Sequence, residues 1–183
     1  MLFIGVFINF KFMAGQLKEG GLLKFFTECL QDLYNAEKKF VKCAAALSIA
    51  AYTEELQTAL LSQSHQSENH TQRLEEVFKI LAIHPAEGKC KIIEMLSDKS
   101  ADIVKTVETG TALRDAAIIY AVQLIAHYKI ACYGSLIALL EEIEEDSAQV
   151  LLERCLVEEK SADTNLTQLA MMVINPAAKR ESA

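Results

Sequence analysis

Seven residues could do chemistry in this sequence: Glu37, Gln63, Gln66, His70, Lys129, Glu159 and Asp163. Each sits where helical periodicity calls for an apolar side chain, near the middle of a long apolar stripe. The first stripe runs Leu30, Leu33, Glu37, Phe40, Ala44, and the second Leu56, Ala59, Gln63, Gln66, His70, Leu74, Val77, Leu81. The third runs Val122, Ile125, Lys129, Cys132, Leu136, and the fourth Leu152, Leu156, Glu159, Asp163, Leu166, Ala170, Val173. A charge inside a packed core costs several kcal/mol unless it is paired or bound to a metal. Interruptions at one height on four helices therefore predict a shared polar site. Two readings stay open at this point: a set of buried ion pairs, or a metal centre.

The spacing bears on the second reading. Two-metal carboxylate bundles take one Glu from each of two helices, and a Glu with a second ligand one turn later from each of the others. Glu37 fits the first kind, and Glu159 with Asp163, four residues apart on one face, fits the second. The corresponding pair on the second helix is Gln66 with His70. Carboxylate and imidazole suit iron or manganese, whereas the neutral amide of glutamine is a poor substitute. Glu37, His70, Glu159 and Asp163 are thus the candidate metal ligands, with Gln63, Gln66 and Lys129 as further inner polar residues. His127 and Tyr34 are candidates for holding those ligands in place, and Tyr128 and Tyr133 could also hydrogen-bond buried carboxylates.

The elements that must position these residues are helices. The 183 residues are about half apolar, with only two prolines, seven glycines and no tryptophan, which predicts an all-α single domain. The first helix is expected from Leu22 to Ile49, after Gly20-Gly21. The second starts after an N-cap at Thr53, with Glu54 and Glu55 in its first turn, and ends near Ala82 ahead of Pro85. The third runs from Thr111 to Ile143, and the fourth from Asp146 to the residue before Pro176. The 28 or so residues between the second and third helices (Ile83 to Gly110) carry helical periodicity of their own through Ile92, Ile93, Leu96, Ile103, Val104 and Val107. A connection of that length runs the height of a bundle and leaves the helices it joins parallel, the topology of ferritin-like bundles. The bundle is assigned to residues 13–175. Residues 1–12 are an apolar extension too short to span a bilayer, with Met13 the better start, and residues 176–183 are expected to fray.

A formal charge of −7 argues against nucleic acid and anionic membranes as partners. Five cysteines, an odd number with no CxxC pair, fit a reducing cytoplasm and not a disulfide framework. No phosphate loop, nucleophile–base pair or dinucleotide fingerprint is present, so no reaction is assigned.

From Leu23 to Ala170 the chain resembles the YciF/YciE family of ferritin-like proteins. The resemblance is carried by Asp32-Leu33-Tyr34-Asn35-Ala36-Glu37-Lys38, Arg73-Leu74-Glu75-Glu76-Val77-Phe78, Lys89-Cys90-Lys91 and Arg114-Asp115-Ala116-Ala117. His127-Tyr128-Lys129-Ile130-Ala131-Cys132-Tyr133-Gly134 and Glu158-Glu159-Lys160-Ser161-Ala162-Asp163 complete it. It implies a ferritin-like fold, a di-metal centre and an association with stress. Against the family pattern, Gln63 replaces His, Gln66 replaces Glu, and Ala126-His127-Tyr128-Lys129 replaces Glu-His-Tyr-Glu. Glu37, Glu159 and Asp163 sum to −3, and Lys129 brings the site to −2. Two divalent ions would overcompensate that charge; one would balance it. The expectation is a degenerate centre with no metal, or one weakly bound iron or manganese ion. With the centre degenerate, such a protein would act as a structural or protein-binding module, self-associating as a dimer, its protein partner unidentified; the alternative is an iron- or manganese-binding redox protein that retains at least one metal through Glu37, His70, Glu159 and Asp163.

Overall fold

A computed structural model describes residues 21–86 and 88–181; the expectations for residues 1–12 lie outside these. The order is α1 (Gly21–Ala50), α2 (Glu54–Ile80), α3 (Lys91–Thr106), α4 (Ala112–Ile143), α5 (Asp146–Leu169), a π-helical turn (Ala170–Ile174) and α6 (Asn175–Glu181). The described residues are all helix and loop, and the four long helices begin and end within about three residues of their expected limits, α5 excepted.

Two apolar clusters define the packing. One joins Phe40, Ala44 and Leu47 of α1 to Leu56 and Leu60 of α2, Ile118 to Ile125 of α4, and Leu166 of α5. The other joins Phe26 to Tyr34 of α1 to Leu74 to Phe78 of α2, Tyr133 to Leu140 of α4, and Ala148 to Cys155 of α5. Early α1 meets late α2 and late α4, so α1 is antiparallel to both, and α2 and α4 are parallel. The crossover containing α3 makes that arrangement possible, as in ferritin-like bundles. Helix α4 contacts α1, α3, α5 and α6, which is why it is apolar on nearly every side. It is long and apolar enough to cross a membrane by length and composition, yet Lys129 lies buried within it.

The turn between α1 and α2 is fixed from a distance. Thr53 is the N-cap of α2, as expected, but its side chain makes no capping bond. The carboxylate of Asp115, fully buried, accepts instead from Tyr52 N (2.7 Å), Thr53 N (2.9 Å) and the Thr53 hydroxyl (2.8 Å). Arg114 turns the other way and donates to the carbonyls of Val104 and Val107, covering the C-terminal end of α3.

The end of the chain corrects the expectation. Residues 176–181 do not fray, and the helical path does not stop before Pro176. Proline lacks an N–H and its ring collides with the preceding turn. Here the backbone widens first: Asn175 N donates to Ala170 O, a five-residue step that accommodates the ring. Beyond it α6 packs on α4, Ala178 is buried, and the Glu181 carboxylate accepts from Ala112 N (3.0 Å) and Leu113 N (3.3 Å) at the positive end of α4.

Candidate functional site: a buried ion-pair cluster

Between the two apolar clusters lies a polar layer to which α1, α2, α4 and α5 each contribute. Glu37, Ser67, His70 and Lys129 are completely buried and Glu159 is nearly so. The Lys129 ammonium donates to Glu159 Oε1 (2.6 Å), Glu37 Oε2 (3.0 Å) and Ser67 Oγ (3.2 Å), and stands 4.2 Å from the Phe40 ring centroid. Glu37 also accepts from Tyr133 Oη (2.7 Å) and Ser67 Oγ (2.5 Å). His70 presents Nδ1 to Glu37 (3.2 Å) and Glu159 (3.5 Å), and Nε2 to Glu158 (3.0 Å). Arg73 donates to the same Glu158 oxygen (2.8 Å), carrying the network to the surface.

Both ring nitrogens of His70 face carboxylates, and only an imidazolium can donate from both. Burial opposes that charge, but Glu159 and Glu37 outweigh it and raise the pKa to about 9. Burial likewise opposes ionisation of Glu37, yet Lys129, His70 and Ser67 together hold it down to about 2. Burial opposes the charge on Lys129, but Glu159 and Glu37 outweigh it and push its pKa upward. Burial first, and Glu37 second, raise Tyr133 well above the phenol range, so it stays a donor. With Glu37 and Glu159 ionised and Lys129 and His70 protonated, the inner cluster is neutral.

The pH dependence follows. The folded pKa of His70, about 9, exceeds its ordinary 6.5, so its contribution is complete below pH ~6.5 and lost as pH rises through ~9. That shift corresponds to on the order of 3 kcal/mol. Glu37 acts oppositely: its contribution holds above pH ~4.5 and is lost as pH falls through ~2. Urea melts of the wild type should show highest stability near pH 5 to 6 and a decline toward pH 9, and His70→Gln should flatten the alkaline limb. An unchanged alkaline slope in His70→Gln would mean the imidazole is neutral when folded.

Four sequence-predicted residues meet: Glu37, His70, Lys129 and Glu159. Asp163 does not join them. It accepts from Gln123 Nε2 (3.1 Å) and lies 3.5 Å from Nε2 of the exposed His127. Four residues along a helix advance the side chain by ~40° and ~6 Å, so with Glu159 aimed inward Asp163 turns into the α4–α5 seam. His127 therefore supports Asp163 at the surface and no inner ligand. Tyr34 donates to Glu75 (2.9 Å) and packs edge-on against Phe78, also outside the cluster. Gln63 and Gln66 line a cleft of about 190 Å³ between α2 and α5, with Gln66 Nε2 buried and lacking a hydrogen-bond partner. Ser67 and Glu158 were missed. Only the three-residue spacing of Ser67 from His70, and the place of Glu158 beside Glu159, could have signalled them.

A di-metal centre does not fit these residues. Ligand atoms of Glu37, His70 and Glu159 lie within 4.8 Å of one another, a spacing that holds one cation. The Lys129 ammonium touches both carboxylates of that trio, and both His70 nitrogens are committed to acids. Gln66 supplies a neutral amide, a poor substitute for the carboxylate that the resemblance implies there.

Residues 21–179 match the family described as Domain of unknown function (DUF892). The chain is 32% identical to protein YciF of Escherichia coli (strain K12) over 158 residues, 86% of this chain and 95% of that protein. Its fold superposes on the crystal structure of the E. coli stress protein YciF with a TM-score of 0.81 at 31% identity, covering 85% of this chain and 98% of that one. YcfI of Rhodopseudomonas palustris, described as a candidate structural protein, follows at a TM-score of 0.77 and 31% identity, covering 80% and 92%. By sequence and by fold, the chain belongs to the YciF (DUF892) family.

Proposed function

We propose that this chain is a stress-associated, YciF-like bundle in which an internal ion-pair network stands in for the metal centre, and that it works as a structural or protein-binding module. The supporting observation is the Lys129 ammonium bonded to both Glu37 and Glu159. Lys129 and His70 together bring the two positive charges that one divalent ion would bring, so the layer is neutral without one. E. coli YciF is called a stress protein and YcfI is described as a candidate structural protein, which supports the physiological side of the reading. Five free thiols favour a reducing cytoplasm, and self-association as a dimer completes the proposal.

The test is metal analysis of protein purified without chelator, paired with thermal melts in ferrous and manganous salt. The expected result is far less than one metal per chain and no rise in melting temperature. One tightly held iron or manganese per chain, with a rise on addition, would favour the second reading. The Glu37–His70–Glu159 trio would then be a retained single-metal site.

A further inference from the structure

The cleft between α2 and α5 gathers polar groups that the fold leaves unanswered. On the α2 wall, Gln63 is only 8% exposed and makes no hydrogen bond within the described residues. Gln66 beside it keeps Nε2 buried without a partner, so its amide carries a desolvation penalty with no bond in return. Rotation about the last side-chain bond, a soft torsion, turns that N–H into the cleft. On the α5 wall, Glu158 commits Oε2 to His70 and Arg73, which leaves Oε1 to accept. The polar groups repeat along both walls. Ser62 and Gln66 on α2, and Ser161 and Asn165 on α5, are each four residues apart, a rise of ~6 Å.

We infer that this cleft binds a small uncharged polyol. A cation would suit Glu158 but leave the amide N–H groups without an acceptor, and it would approach Arg73. An anion would accept from Gln66 but lie against the free oxygen of Glu158. A hydroxyl both donates and accepts, so a row of hydroxyls answers the acid on one wall and the amides on the other. The repeat along both walls favours such a row over a single carboxamide, which has one acceptor and one donor end. A cleft of about 190 Å³ holds about six waters, and therefore a polyol of about four carbons. None of these cleft residues bonds to Lys129, so the inference is independent of the reading above.

The test is titration of the full-length, nitrogen-15-labelled protein with erythritol, following side-chain amide resonances by NMR. Gln63, Gln66 and Asn165 report on the cleft, and Gln149, bonded to Glu153 on the surface, is the reference. The cleft amides should shift and saturate while Gln149 drifts linearly, and acetate or methylammonium should give no saturating shift. Gln66→Leu removes one donor and should raise the half-saturation point about tenfold at Gln63 and Asn165. Ser161→Phe fills the cleft from an exposed position and should abolish saturation while the melting temperature holds. Linear shifts shared by all the amides would overturn the inference and leave the cleft to water. Saturation that survives Ser161→Phe would place the binding elsewhere and also overturn it. Saturation by acetamide at lower concentration than erythritol would overturn it in favour of a carboxamide ligand.

Discussion

Lys129→Met should destabilise the protein by about 3–5 kcal/mol at neutral pH, the usual result of breaking a fully buried ion pair from one side. Methionine keeps most of the stem's bulk, so the loss is electrostatic and not a cavity. Glu37 and Glu159 would then face each other with only the His70 imidazolium between them, one positive charge for two negative ones. Each carboxylate would raise the other's pKa, and one would take up a proton to fold. The deficit should therefore shrink as pH falls toward 4. Adding Glu37→Gln to Lys129→Met removes the excess charge and should recover part of the loss, since residues in one network do not act additively. Urea melts of the single and double variants at pH 7 and pH 4 make the comparison. A neutral Lys129→Met would show that the ammonium is not held by the buried acids.

Lys129→Glu should have the larger effect without metal and the opposite response to it. The variant puts three carboxylates around His70, leaving the layer at −2 even with the imidazolium, and its melting temperature should fall well below that of the wild type. It also restores the carboxylate that the resemblance to the family implies at this position. Manganous or ferrous ion should then stabilise the variant, by up to ~4 kcal/mol at a thousandfold excess over Kd, while leaving the wild type unmoved. Gln66→Glu in the same chain should deepen the dependence by adding an oxygen donor from α2. A Lys129→Glu protein as stable as wild type without metal, or indifferent to it, would show that the lysine does not stand in for a metal ion in this layer.

Most of the fold was legible in the sequence because its signals are local: apolar stripes at helical spacing, glycine and proline at the breaks, and a crossover long enough to leave α2 and α4 parallel. The inward placement of Glu37, His70, Lys129 and Glu159 was legible for the same reason. Errors entered where one helical residue decides. The α4 stripe was read through Cys132, whereas Tyr133 is the fully buried neighbour that reaches Glu37. On α5 Cys155, not Leu156, is fully buried. Asp163 shares a face with Glu159 on a helical wheel, yet one further turn carries it out of the layer. Long-range bonds leave no local trace. Asp115 reads as an ordinary first-turn acid, and nothing near it announces partners 62 and 63 residues away. The helix through Pro176 was hidden because a proline normally ends one, and the widened turn that admits it has no sequence signature.

The polar layer also bears on how the helices choose their register. An apolar stripe tolerates sliding, since a heptad shift replaces one leucine contact with another. A seven-residue slide of α4 would move Lys129 by ~10 Å along the bundle, leaving an ammonium among leucines and two carboxylates without a cation. The same holds for α1 through Glu37, α2 through His70 and α5 through Glu159. Four side chains thus act as a key cut across all four helices, rejecting slipped alignments that packing alone would accept.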